Sequence, residues 1–112
     1  MATVDDCERA MHALADRLAG VDPEKRSRSD LDRSLSCTLP DIEAIFAGRL
    51  KDGLLTDIRR VDTSDAQIKL TMSSDDLVQL VDGRLHLASA WASGRIKIGA
   101  GMVDLLKLRS IF

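Results

Sequence analysis

The chain has no tyrosine, and aromatic residues make up only 3 % of its 112 positions. Flat side chains that stack on nucleobases are therefore scarce. Neither sign of charge is in excess: 16 Lys and Arg face 18 Asp and Glu, a formal net charge of -2. With no basic surplus to hold a polyanion, nucleic acid is not an expected partner. No apolar run reaches the roughly 20 residues that a membrane-spanning helix needs, so stable membrane insertion is not expected either. The first ten residues, MATVDDCERA, put two acids where a secretory signal would be basic. Two cysteines, Cys7 and Cys37, form no CxxC or other ligand spacing. Free, buried thiols in a cytoplasmic protein are the expectation.

Catalytic motifs are also missing. A hydrolytic triad needs a nucleophile, a base and an orienting group. The two histidines stand alone, His12 on the polar side of a helical pattern and His86 ahead of a short apolar stretch. Neither has the helical or hairpin spacing of a metal pair. The doublets Asp5-Asp6 and Asp75-Asp76 fall in first helical turns, where carboxylates complement exposed amides. Gly99-Ala100-Gly101 lacks the longer glycine pattern and the lysine of a phosphate loop. The expectation is a protein that is not an enzyme, with no cofactor, no metal ligands and no catalytic residues.

What is present is an ordinary globular balance, 45 % hydrophobic and 30 % charged. The length predicts one domain, residues 1–112, burying roughly two-thirds of its unfolded surface. Val4, Cys7, Met11, Leu14 and Leu18 recur at steps of three and four, which predicts a helix from Thr3 to Ala19. Thr3 is placed to cap it, and Gly20 and Pro23 to end it. Residues 22–33 are charged and read as a connector carrying a small basic cluster.

From Arg33 the period becomes two. Leu35, Cys37 and Leu39 define a strand stopped by Pro40. Ile42, Ala44, Phe46, Gly48 and Leu50 share the face of a second, and Asp52-Gly53 is a strong hairpin signal. Leu54 to Val61 returns antiparallel, and its poor alternation predicts a sheet edge or a twisted strand. Ala66, Ile68, Leu70 and Met72 mark a fourth strand and Ile96 and Ile98 a fifth. SSDDLVQLVDG starts with serine caps and closes on Gly83, a short helix. Leu87 to Ala92 makes another, and Met102 to Ile111 a last one. The layout predicts an α+β fold: a five-stranded, mostly antiparallel sheet with helices packed on one face.

The last helix carries Met102, Val103, Leu105, Leu106, Leu108, Ile111 and Phe112 around most of its circumference. Packing on a sheet takes a stripe of about 100° or somewhat more. The pattern leaves three occupants open for the remainder: a second protein surface, a neighbouring helix, or a ligand.

The stretch AQIKLTMSSDDLVQLVDGRLHLASAWASGRIKIGAGMVDLLKLRSIF resembles the sterol carrier protein type two family. The shared features, in order, are the alternating strand Ala66 to Met72, the helix closing on Gly83, the pair Ala90-Trp91, the run Gly94 to Ile98 and a leucine-rich end. The resemblance covers the C-terminal two-thirds of the chain. Two departures stand out: the end is Ser110-Ile111-Phe112 rather than a peroxisomal address, and Gly99-Ala100-Gly101 replaces a glycine-acidic pair. The resemblance implies a lipid-binding domain that holds a sterol, fatty acid, acyl-CoA or phospholipid in an apolar tunnel between sheet and helices. On that reading the lining comprises Leu77, Leu80, Val81, Trp91, Ile98, Met102, Leu105, Leu106 and Phe112, with Phe46 as a floor. The rival reading is a closed-core interaction module, a homodimer among its forms.

Overall fold

The computed structural model describes residues 2–20, 32–63 and 65–101. The expected helix at Met102 to Ile111 lies outside the described residues. Helix α1 spans Val4–Ala19 and starts on a reciprocal cap. The Asp6 amide donates to Thr3 Oγ1 at 3.0 Å, and the Thr3 amide donates to Asp6 Oδ2 at 3.1 Å. Its buried stripe is Cys7, Ala10, Met11 and Leu18.

Five strands form one sheet: β1 Asp32–Leu39, β2 Ala44–Lys51, β3 Leu54–Val61, β4 Ile68–Thr71 and β5 Lys97–Gly99. Their spatial order is β3-β2-β1-β4-β5. Three of the four pairings are antiparallel, and β1 with β4 is the parallel one. That pair arises because the chain leaves the β3 edge and crosses to the far side of β1, and a parallel neighbour requires such a crossover. Gln67 ties the crossover down: its amide donates to Ser34 Oγ at 2.9 Å, and its side-chain oxygen accepts from the Ser34 amide at 3.1 Å.

Between β1 and β2 runs a single 3-10 turn, Pro40–Ile42. Asp52 and Gly53 close the β2–β3 hairpin with φ of 54° and 74°, the paired positive values of the turn that matches strand twist. The weak alternation of β3 has a local cause. Ala47 pairs with Arg59 but Arg49 with Thr56, so Gly48 faces two residues, and Asp57 takes φ of 62°. This bulge resets the phase of the strand, letting both Leu55 and Ile58 turn inward. It also disturbs the ladder at a sheet edge, where regular pairing invites aggregation.

Helix α2 spans Ser74–Val81 and α3 spans Leu87–Ala92. Both lie in the connection from β4 to β5. Ser73 caps α2 through the Asp76 amide at 3.1 Å. A second tie anchors the same end: Asp41 accepts from the Ser74 amide at 3.0 Å and from the Ser74 hydroxyl at 2.5 Å. The Ala2 amide in turn donates to Ser74 Oγ at 3.1 Å. The starts of α1 and α2 are thereby joined to the 3-10 turn. At the other end Arg17 of α1 donates to the Val81 carbonyl. The core lies between the helices and one sheet face, with Cys37, Leu39, Phe46, Leu50 and Ile68 at 1 % exposure or less.

Candidate functional site

Period-two alternation sends Leu35 and Cys37 of β1, Leu50 of β2, Leu55 of β3 and Leu70 of β4 to the helix-covered face. Together with Met72 they floor a wholly apolar cavity. Its roof is Met11 and Leu14 from α1, Leu77 and Leu80 from α2, and Leu87 from α3. The free volume is about 20 Å3, room for about one water-sized group. Eight of the lining residues are buried; Leu14, Leu80 and Leu87 are half-buried. Each of the three helices contributes one of these, so the cavity comes nearest to the surface where the helices converge.

The electrostatics of this region are those of an apolar core. Burial pushes the Cys37 thiol up to about 12 and the Cys7 thiol to about 11. Both are free. Shifted carboxyls lie at the helix and strand ends. The Ser74 hydroxyl holds Asp41 below the usual carboxylate value, the Thr3 amide does so for Asp6, and the Arg49 guanidinium for Asp32. Arg95 pairs with Asp76, whose side chain is 13 % exposed, and ties the approach to β5 to the first turn of α2. Among the described residues no three His, Cys, Asp or Glu side chains gather as a metal would require. Among them, too, no helix is long and apolar enough to cross a membrane.

The structure distributes the residues named from sequence unevenly. Leu77 and Leu80 line the cavity. Phe46 is buried in the sheet core, outside the lining. Val81 is buried on α2 outside the lining and borders an open groove between α1 and α2. Ile98 is half-buried at the end of the row Phe46–Cys37–Leu70–Ile98. Trp91 stands 44 % exposed on α3. Met102, Leu105, Leu106 and Phe112 lie outside the described residues. Sequence reasoning missed the floor leucines and both methionines, although Met11, Leu35, Leu50, Leu70 and Met72 each carried the signal of an apolar face; Leu55 lies in the strand whose poor alternation assigned it to none.

With this geometry in view, the relatives can be placed. A family model described as alkyl sulfatase C-terminal matches residues 10–112. The chain belongs to the alkyl sulfatase C-terminal family. No curated protein sequence matches it. The fold of this alkyl sulfatase C-terminal domain is shared with the stereoselective inverting sec-alkylsulfatase Pisa1 from Pseudomonas sp., at 25 % identity and a TM-score of 0.63 over 88 % of the chain. The chain spans 14 % of that enzyme's length. It is also similar to sterol carrier protein domain 2 of Helicoverpa armigera, at 19 % identity and TM-score 0.74, covering 98 % of this chain and 89 % of that one. A third match is the palmitated sterol carrier protein 2-like 2 from Aedes aegypti, at 14 % identity and TM-score 0.65, covering 97 % and 92 %. The domain thus has the sterol carrier protein 2-like fold.

Proposed function

We propose that this domain is a non-catalytic, cytoplasmic binder of hydrophobic ligands that takes the apolar part of a lipid into the cavity between sheet and helices. The observation that carries the reading is the cavity's position and chemistry: it lies between sheet and roof, and among the described residues every lining side chain is apolar or a protonated thiol. The fold supports it, because a domain of the same fold was solved in a palmitated form. Burying a chain of about 16 carbons supplies roughly 10 kcal/mol of gross driving force before ordering costs. Affinity then needs no headgroup site.

A void of about 20 Å3 does not hold such a chain. Binding therefore requires the roof to move outward, so ligand competes with the protein's own packing. The test is a palmitate titration read by Trp91, the chain's one tryptophan, together with mass spectrometry under non-denaturing conditions. The expected result is saturation near one ligand per chain and a matching adduct. A flat titration with only bare polypeptide would leave the interaction module as the better account, and a mass that rises with protein concentration would support it directly.

The family match favours one specific setting. In it the domain holds the alkyl part of an alkyl sulfate while a sulfatase catalytic region, in the same or another chain, acts on the ester. Co-purification with sulfatase activity, lost when the cavity is blocked, checks that setting.

A further inference from the structure

The makeup of the cavity wall is selective. Among the described residues it comprises eight leucines, two methionines and Cys37. Those described residues include no isoleucine, valine or aromatic side chain, although Phe46, Ile68, Val81 and Ile96 are all buried elsewhere in the same domain. Leucine and methionine branch beyond Cβ or not at all, whereas β-branched side chains are stiff at χ1. Methionine adds a third rotatable bond and fills irregular gaps. The wall is thus made of the adaptable part of the apolar alphabet, and the stiff part is packed away from it.

We infer that the cavity is specific for a single flexible alkyl chain, entered tail-first, and discriminates against rigid fused-ring lipids such as sterols. This deepens the lipid-binding reading and rests on it. The enclosed volume is about 20 Å3, so any ligand makes its own room. A flexible chain does so a methylene at a time, each displaced leucine or methionine finding another rotamer. A steroid nucleus needs its whole width at once and meets, among the described lining residues, no flat aromatic or β-branched wall shaped to receive it. The entry follows from the half-buried positions. Leu87 lines the cavity near the surface, and Trp91 lies four residues on along α3, hence on the same helix face but exposed. A polar head left in water at that rim sits near Trp91, and the tail end lies deeper, toward Leu35 and Leu50.

Competition and quenching test this together. Palmitate is bound first, and cholesterol delivered from cyclodextrin is added as competitor. The expected result is displacement at least ten-fold weaker than that by unlabelled palmitate. Saturated fatty acids from ten to eighteen carbons should tighten by up to about four-fold per methylene. Stearate carrying a nitroxide at carbon 5 should quench Trp91 more than stearate labelled at carbon 16. Leu35→Val and Leu70→Ile stiffen the floor on strands that favour β-branched residues, and each should weaken palmitate at least three-fold with the unfolding transition retained. Cholesterol that competes as well as palmitate overturns the specificity, with the lipid reading intact. Equal or reversed quenching overturns the orientation, and unchanged affinity in both variants overturns the role of the adaptable wall. Failure of palmitate and cholesterol alike, with no adduct in the mass spectrum, is failure of the lipid reading itself.

Discussion

Leu77→Ala separates a ligand cavity from an ordinary core. Leu77 is 2 % exposed on α2 and lines the roof. Truncation removes three carbons and should destabilise the domain by about 2–5 kcal/mol, a sizeable share of the roughly 5–15 kcal/mol typical of a domain. The space it vacates adjoins a void that already exists. Three ligand carbons can refill it, at about 0.8 kcal/mol each. Palmitate should therefore bind the variant more tightly than the parent by up to about 2.4 kcal/mol, or some fifty-fold, because less of the roof must be displaced. Leu39→Ala is the control: Leu39 is 0 % exposed but lines no part of the cavity. It should lose comparable stability and gain no affinity. Urea unfolding with and without palmitate reads both quantities, since ligand raises stability with the logarithm of its concentration over Kd. If Leu77→Ala loses stability without gaining affinity, or if Leu39→Ala gains as much, the reasoning fails.

Three further outcomes are expected. In Gly48→Ala the new Cβ would lie 3.0 Å from Leu55 Cδ1 and 3.1 Å from the Thr56 carbonyl oxygen; the leucine can turn aside but the backbone oxygen cannot, so urea titration should show a loss of about 1–3 kcal/mol. The Cys37 thiol, raised by burial to about 12 from 9.0, favours the folded state fully below pH 9 and less as pH rises toward the folded value; stability should decline from pH 9 to about pH 10.5 with a slope that Cys37→Ala reduces. Asp41, held below 3.8 chiefly by the Ser74 hydroxyl, stabilises the fold above that value and loses this as pH falls through its lower folded pKa; acid titration by circular dichroism should show a later onset of unfolding in the parent than in Ser74→Ala.

How much of this was legible beforehand depended on whether the signal was local. The cap at Thr3, the stop at Pro40, the Asp52-Gly53 turn and the positive φ of Gly83 and Gly94 follow from one or two residues each, and the element boundaries around them match. The edge position of β3 was readable from its broken alternation, but the bulge at Asp57 that causes it was not, since an aspartate with φ of 62° looks like any other polar residue in the chain. The parallel pairing of β1 with β4 depends on where a crossover lands, which no local pattern encodes. Two strands came out shorter than their alternation suggested: Gln67 binds through Ser34 rather than through a ladder, and Arg95 turns to Asp76 instead of entering β5. The cavity was harder still. Its lining consists of inward residues from four strands and three helices, and only the assembled fold tells which inward residues face a gap and which face one another.

The roof is not held evenly, and on the proposed lipid-binding reading this sets where a ligand would enter. α1 and α2 are joined at both ends, through Ala2 and Ser74 at one and through Arg17 and Val81 at the other. α1 also buries Cys7, Ala10, Met11 and Leu18, and α2 buries Leu77 and Val81. α3 has six residues, and Ala90 is the one it buries. Its anchors are the Ala90 carbonyl, which accepts from the Arg95 and Ile96 amides at 2.9 and 3.2 Å, and the nearby Arg95–Asp76 pair. A helix with so little buried apolar surface opens at lower free energy than one with a full stripe. Displacing α3 uncovers Leu87 and the edge of the cavity while leaving the α1–α2 pair and the sheet as a rigid frame. The division suits a binder whose wall must yield: three carbons of ligand repay what three carbons of roof surrender only if the part that moves is small.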